Sequence, residues 1–331
     1  MGSSVSQPHQ GHDSQSAGAT STLDPVSNAD GDAFSMCVSD NPNVERIDTG
    51  SSVVARPHVA ISTDDSAAGR FMPGKVIMAL PAYNEEAALP ELLERIGEAF
   101  ADSGIPYEVI VVDDGSSDAT LKIAKDMSFQ MPIVVLKHKE NRGLGETLRD
   151  GLLEAIDRAG ERDIIVTMDA DNTHPPGLIE RMVKLIREGC DVVIASRFQP
   201  GACVIGVPLN RHFLSIGARI LFTVMYRTQN VRDYTSGFRA YRASVIREAF
   251  ASHGESFVSE KGFSCMADVL LKLRQQQCVF GEAPLRLRYD QKGGESKMQV
   301  FKTIWLTLKL LGRHFFKGQS SSQQANANNE S

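Results

Sequence analysis

The pattern of apolar and polar positions changes near residue 73. Before it, short apolar runs never settle into a period of 2 or 3.6 residues, and Ser, Asp, Gly, Asn and Ala predominate. A segment of this composition cannot bury enough apolar surface to offset the chain entropy lost on folding. We therefore expect residues 1–72 to form a disordered N-terminal extension.

From Lys75 onward, short β-branched runs alternate with longer stretches whose apolar residues recur at helical spacing. This alternation is typical of an α/β fold, a mostly parallel sheet with helices on both faces. The predicted strands are KVIMAL, YEVIVVDD, PIVVLK, DIIVTMDAD and DVVIASRF, and the predicted helices lie in EEAALPELLERIGEAFA, SDATLKIAKDM, GETLRDGLLEAIDRA and PPGLIERMVKLIREG.

Charge and composition narrow the class of protein. The chain has 331 residues and a net charge of −6, all of which lies in residues 1–72. The folded part is therefore neutral, which argues against nucleic-acid binding. No apolar run approaches the ~18 residues of a membrane-spanning helix, and no secretory signal is evident, so we expect a cytoplasmic protein. The five cysteines have no paired spacing, which fits reduced thiols.

The first residues, MGSSVS, match the N-myristoylation pattern, but so short a pattern also arises by chance in a Ser-rich segment. We assign no lipid to Gly2.

Four predicted strands end in loops rich in polar side chains. These loops are residues 81–86, 113–116, 169–171 and 196–198. Ligands of open α/β sheets bind beyond the carboxyl ends of the strands. We therefore expect the four loops to form one pocket.

Asp169 and Asp171 alternate along a strand end, which would point both carboxylates to one face. Two carboxylates suit Mg²⁺ or Mn²⁺ shared with the phosphates of a substrate. A turn with helix-capping carboxylates is the alternative for the triplet by itself. Its place beside three other polar loops favours the metal site.

Asp113 and Asp114 follow an apolar strand, and they either face a ligand or cap the next turn. The NRGLG segment from Asn141 resembles a phosphate loop but lacks the third glycine of the dinucleotide fingerprint. The first strand leads into PAYNEE and not into a Gly-rich turn, which argues against a nicotinamide-dependent dehydrogenase.

Seven motifs in order carry a family resemblance: ALPAYNEE, VVDDGSSDAT, NRGLGETLRDG, MDADNTHPP, ASRF, DYTSGFRAYR and GESKM. Together they resemble the family 2 glycosyltransferases of the GT-A fold, in particular the branch of the dolichol-phosphate mannose synthases. The resemblance covers about residues 75–300, so we assign residues 73–299 to a single catalytic domain.

The resemblance implies an inverting transfer of a hexose from GDP-mannose or UDP-glucose to a polyprenyl phosphate at the cytoplasmic membrane face, with Mg²⁺ or Mn²⁺ and with membrane-anchoring partner subunits. It places Arg197 and Lys297 at the diphosphate and Arg211 at the acceptor phosphate; with Asp171 these are the predicted catalytic residues. The implied nucleotide-sugar site consists of Pro81, Tyr83, Glu85, Val111, Asp113, Asp169, Ala170, Asp171, Arg197 and Lys297, with Asp169 and Asp171 as the metal ligands.

Two positions depart from the family pattern. Thr173 stands where the family often has Gln or Ser, so the family's third metal contact is not assigned to it. Gln291, beside Lys292, replaces a family arginine. A polyprenyl monophosphate is largely a dianion at neutral pH and requires no catalytic base. Asp268 is the candidate base if the acceptor is a hydroxyl, and otherwise a solvated helix residue.

Residues 300–317 place Phe301, Trp305 and Leu308 on one helical stripe, and Lys302 and Lys309 on the opposite face. Such an amphipathic helix either lies on a membrane surface or packs on the sheet. We expect residues 318–331 to be a disordered tail.

Two other functions share these features. One is a glycosyltransferase that acts on a hydroxyl of a polysaccharide or glycolipid. The other is a non-catalytic subunit that binds a nucleotide sugar.

Overall fold

The computed structural model describes residues 41–47, 74–206 and 209–289. An eight-stranded sheet in the order β1-β4-β3-β2-β5-β8-β6-β9 forms its centre, and β7 and β10 form a separate parallel pair. The strands are β1 (Val44–Ile47), β2 (Val76–Ala82), β3 (Tyr107–Asp113), β4 (Ile133–His138), β5 (Ile164–Thr167), β6 (Val192–Ser196), β7 (Cys203–Ile205), β8 (Arg239–Arg242), β9 (Phe280–Pro284) and β10 (Arg286–Arg288). The helices are α1 (Leu89–Ser103), α2 (Thr120–Ser128), α3 (Leu144–Arg158), α4 (Leu178–Arg187), α5 (Leu209–Tyr226), α6 (Ala243–His253) and α7 (Cys265–Gln275), with a 3₁₀ helix at Gly254–Val258.

Hydrophobic cores lie on both faces of the sheet. Alternate residues of β2 face opposite ways, so that Ile77 joins one core, and Met78 and Leu80 join the other. Helices α1, α2 and α4 contribute to the core of Met78, whereas α3, α5, α6 and α7 contribute to that of Ile77. The predicted α/β class and all five predicted strands are confirmed, and the four predicted helices are present with shifted ends.

The sheet is mostly parallel, as predicted, with β1 and β8 antiparallel to their neighbours. β8 lies between β5 and β6, with Arg239 opposite both Thr167 and Ile194. The loop that precedes β8 therefore reaches the same edge as the carboxyl ends of β5 and β6. This antiparallel insertion brings residues 233–238 to the candidate site.

The prediction of disorder for residues 1–72 is wrong for the segment 41–47. Val44–Ile47 pairs antiparallel with β4, and Arg46 forms an ion pair with Glu154 at 3.1 Å. The strand's hydrogen bonds come from the exposed edge of β4, a partner that no local pattern reveals. The described residues do not include 1–40 and 48–72, the proposed helix 300–317 or the tail 318–331.

Candidate functional site

The loops that follow β2 and β3 are joined by hydrogen bonds. The Asn84 N–H donates to Ser116 Oγ at 2.9 Å, and the Ser117 N–H donates to Asn84 Oδ1 at 2.8 Å. The Glu85 N–H donates to Thr120 Oγ1 at 2.8 Å, at the start of α2. The two loops therefore form one bonded unit at the carboxyl edge of the sheet.

Three predicted site residues lie in this unit: Pro81 and Glu85 are half-buried, and Tyr83 is exposed. Val111 differs from them, because its side chain is wholly buried in the core of α1, α2 and α4. Val111 therefore stabilises β3 by packing in this core. Its predicted contact with the nucleotide stays a prediction.

Asp113, the last residue of β3, is only 1% exposed. Its Oδ1 accepts a hydrogen bond from the Ser116 N–H at 3.4 Å, whereas its Oδ2 is buried without a hydrogen-bond partner in the described part of the chain. Burial raises the pKa of Asp113, and the bonds from Ser116 offset part of that effect. A buried carboxylate oxygen without a donor is unfavourable, so a ligand N–H or O–H suits this position.

Asp114 is a structural acceptor for the loop that follows β4, and not the cap of the next turn that the sequence suggested. Its Oδ1 lies 2.7 Å from His138 Nδ1 and accepts from the Arg142 N–H at 2.8 Å, and its Oδ2 accepts from the Gly143 N–H at 2.9 Å. The wholly buried His138 also contacts Asp150 Oδ2 through Nε2 at 3.1 Å. This network binds the loop 139–143 to the loop that follows β3.

The glycines of the NRGLG segment allow close packing. A Cβ on Gly145 would lie 1.8 Å from the backbone oxygen of Glu260, and the Gly145 N–H donates to the Lys261 oxygen at 3.0 Å. The segment therefore docks α3 against residues 260–261, and this N–H is bonded to protein.

The triplet of residues 169–171 follows the end of β5. Met168 and Ala170 are buried, whereas Asp169 and Asp171 are half-buried, so the predicted alternation continues beyond the strand. Gly237, from the loop before β8, lies so close that a Cβ on it would be 3.1 Å from Asp169 Oδ1. The backbone of that loop thus forms one wall beside Asp169.

Thr173 contacts Asp171 directly. Its hydroxyl donates to Asp171 Oδ1 at 2.7 Å, and its N–H donates to the same oxygen at 3.2 Å. Asn172 adopts a left-handed conformation with φ 60° and accepts from Arg95 Nη1 at 2.6 Å. The turn is therefore fastened on both sides, and Thr173 orients the carboxylate of Asp171.

Asp169 and Asp171 fit a divalent cation. Both are oxygen ligands, which Mg²⁺ and Mn²⁺ prefer. In the described ranges, no three His, Cys, Asp or Glu side chains are grouped as an all-protein metal cage. A pair of carboxylates that shares the cation with a substrate diphosphate matches this donor set.

Arg197 follows β6 and forms a bidentate ion pair with Asp233. Its Nε and Nη2 donate to the two carboxylate oxygens at 2.8 and 2.7 Å, and Nη2 also donates to Thr235 Oγ1 at 2.7 Å. Burial lowers the pKa of Arg197, and the negative charges of Asp233 and, to a smaller extent, Asp169 outweigh that effect. The guanidinium therefore stays charged and is held near the Asp169 carboxylate.

Asp268 is not a solvated residue, and that prediction is wrong; its role as a base for a hydroxyl acceptor stays a prediction. It is wholly buried and accepts from Lys272 Nζ at 2.6 Å and from the Ser259 hydroxyl at 2.8 Å. Lys272 also donates to the backbone oxygen of Ser256 at 2.5 Å. This buried pair fixes residues 256–259 against α7.

The side-chain positions of two other predicted residues, Arg211 and Lys297, are not described. Arg211 lies near the start of α5, whose first residues have no described side chains, and Lys297 lies outside the described residues, as do Gln291 and Lys292. Asp233 was missed by the sequence argument. The other polar loops follow parallel strands, whereas Asp233 precedes an antiparallel one; its signal in the sequence is the DYTSGFR motif.

A mostly parallel sheet with paired carboxylates and a fixed arginine at its carboxyl edge is the arrangement of a GT-A glycosyltransferase. The chain belongs to glycosyltransferase family 2, because the model of Glycosyl transferase family 2 matches residues 78–250.

Curated relatives agree with this assignment. A dolichol-phosphate mannosyltransferase of Pyrococcus furiosus is 32% identical over 73% of this chain, and the match spans 63% of that protein, less than two thirds of its length. An undecaprenyl-phosphate mannosyltransferase of Micrococcus luteus is 32% identical over 68% of this chain and 87% of its own. A polyprenol monophosphomannose synthase of Mycolicibacterium smegmatis is 29% identical over 68% of this chain and 81% of its own.

Among solved structures, glucosyl-3-phosphoglycerate synthase from Mycobacterium tuberculosis shares the fold. Its complex with Mn²⁺, uridine diphosphate and phosphoglyceric acid is 21% identical, with a TM-score of 0.51, over 72% of this chain and 76% of that one. The predicted GT-A fold and family are therefore confirmed.

Proposed function

We propose that this protein transfers a hexose, with inversion, from a nucleotide diphosphate sugar to a polyprenyl phosphate. The observation that carries the proposal is the pair Asp169 and Asp171 at the carboxyl edge, beside an arginine that Asp233 holds in place. The three curated relatives, each named for mannosyl transfer to a lipid phosphate, support the choice of acceptor and favour mannose.

The donor would bind across the joined loops. Asp113 Oδ2 would accept a hydrogen bond from the base or ribose, since it is buried and has no partner in the described residues. Asp169 and Asp171 would hold Mg²⁺ or Mn²⁺, which neutralises charge on the diphosphate. Arg197, and Lys297 by resemblance, would stabilise the negative charge that develops as the nucleoside diphosphate leaves.

The acceptor step places few demands on the protein. A lipid phosphate dianion is itself the nucleophile and would attack the anomeric carbon from the face opposite the diphosphate. Asp268 is paired with Lys272 and Asp233 with Arg197, and removal of a proton is not required of either. Arg211 would orient the acceptor phosphate.

A membrane surface is the natural place for such an acceptor. No helix in the described ranges is long and apolar enough to span a bilayer. On α5, which contains Arg211, Ile220 and Val224 lie one turn apart and are 58% and 74% exposed. These exposed side chains would suit peripheral contact with a bilayer, because buried apolar area drives interfacial binding.

The direct test is transfer of tritiated sugar from GDP-mannose or UDP-glucose, with Mn²⁺, to polyprenyl phosphate in detergent. We expect label in the lipid phase with one donor, and loss of that label on chelation or in a folded Asp171→Asn variant. Label on polyprenol or on a saccharide hydroxyl instead would establish the hydroxyl-acceptor function. Donor binding without turnover on any acceptor would establish a non-catalytic subunit.

A further inference from the structure

The direction of Arg197 is set by the loop before β8. Asp233 and Thr235 together accept three of the five guanidinium N–H groups, and Asp233 Oδ2 also accepts the Arg197 backbone N–H at 3.0 Å. The two remaining N–H groups are those of Nη1. A side chain bound in this way has one orientation, so any movement of Asp233 moves Nη1.

Asp233 is in turn held by a residue of another strand. Glu282 Oε1 accepts the Arg232 N–H at 2.6 Å and the Asp233 N–H at 2.9 Å. Glu282 lies on β9, opposite Ile194 of β6. It therefore connects the strand that leads to Arg197 with the turn that binds Arg197.

The turn that Glu282 holds is only partly enclosed by packing, because Asn230 and Arg232 are exposed. A cavity of about 280 Å³ lies beside the turn, lined by Asn230 and Arg232 on one side and by Phe280 and Glu282 on the other. Asn230 and Arg232 thus border open space, whereas Val231 and Asp233 are buried. The Glu282 carboxylate is thus the restraint on this side.

We propose that Glu282 is a positioning residue for the diphosphate site, which acts through Asp233 to aim Arg197. The inference rests on the proposed function, because it assumes that Arg197 binds the diphosphate of the donor. Loss of the acceptor should let the turn relax and weaken diphosphate binding, while Asp169 and Asp171 are left in place.

The test is a double-mutant cycle on the full chain, with binding of GDP and UDP in the presence of Mn²⁺ measured by titration calorimetry. Glu282→Leu should weaken the affinity for the preferred diphosphate about tenfold, the size expected for a charge-assisted contact. In an Arg197→Ala background the same change should weaken it less than about twofold. Glu282→Gln retains an acceptor oxygen and should restore most of the affinity.

Gln199→Ala is the matched control, because Gln199 lines the same cavity and accepts from the Arg232 side chain at 2.7 Å, not from the backbone. We expect it to bind as the wild type does. If Glu282→Leu lowers the affinity equally in both backgrounds, or does not lower it, the inference is wrong and the proposed function is unaffected. A wild-type chain that binds neither diphosphate contradicts the proposed function and the inference together. If Glu282→Leu does not fold, Glu282→Ala in the same cycle decides.

Discussion

His138→Gln tests the buried network beneath the β3 loop through its pH dependence. Burial by itself lowers the pKa of His138, but hydrogen bonds to the Asp114 and Asp150 carboxylates outweigh it and raise the pKa from 6.5 to about 8. Two arginines add positive charge beside the ring: Arg142 and Arg149 both donate to Asp150, and both form ion pairs with Glu146. The protonated imidazole therefore stabilises the folded state.

The size of this stabilisation follows from the difference between the folded and unfolded pKa of His138. A pKa difference of about 1.5 units corresponds to about 2 kcal/mol at ~1.4 kcal/mol per unit. The folded pKa is higher than the unfolded one, so this stability is fully present below pH 6.5 and is lost as the pH rises through 8. For a domain of this size the loss lowers the melting temperature by about 4–8 °C.

The assay is denaturant unfolding at pH 6 and pH 9 for the wild type and His138→Gln. We expect the wild type to lose about 2 kcal/mol more than the variant between these values. His253→Gln is the control, because burial lowers the pKa of His253, the direction opposite to the shift of His138. Equal pH slopes for the wild type and His138→Gln would refute the reasoning.

Three further predictions concern single contacts. Asp113→Asn should weaken nucleotide binding about 10- to 100-fold without lowering the melting temperature, because the affected oxygen has no protein partner in the described residues; calorimetry and thermal unfolding check this. Thr173→Val should weaken Mn²⁺ binding about 10-fold, measured by titration, because it removes the shorter of the two hydrogen bonds from Thr173 that orient the Asp171 carboxylate. Lys272→Met should destabilise the fold by about 3–5 kcal/mol in denaturant unfolding, because the buried Asp268 carboxylate would lose its charged partner; a change below about 1 kcal/mol would contradict that pairing.

Much of the architecture could be predicted because the strands are apolar and the helices periodic. The carboxyl edge followed from strand direction alone, and so did the positions of Asp113 and Asp169. What escaped prediction depends on contacts distant in sequence. β1 is four residues, VERI, whose structure comes from pairing with β4.

Two features of the site were not predicted, because they too depend on contacts distant in sequence. Asp268 and Lys272 are four residues apart on α7, a spacing typical of an exposed helix face, and the packing of residues 256–259 buries them. Asp233 lies before a short antiparallel strand, RAYR, that carries little apolar signal. Asp233 reaches the site because β8 lies between β5 and β6, a strand order that the sequence does not show.

The most direct test of the central claim is NMR of the lipid product formed from an α-linked donor sugar. The ³¹P spectrum reports whether the acceptor phosphate has become a diester, and the anomeric coupling reports the configuration of the new bond. The account predicts a sugar phosphodiester with a β-linked sugar. A phosphate that remains a monoester, or a sugar that keeps the α configuration, would contradict it.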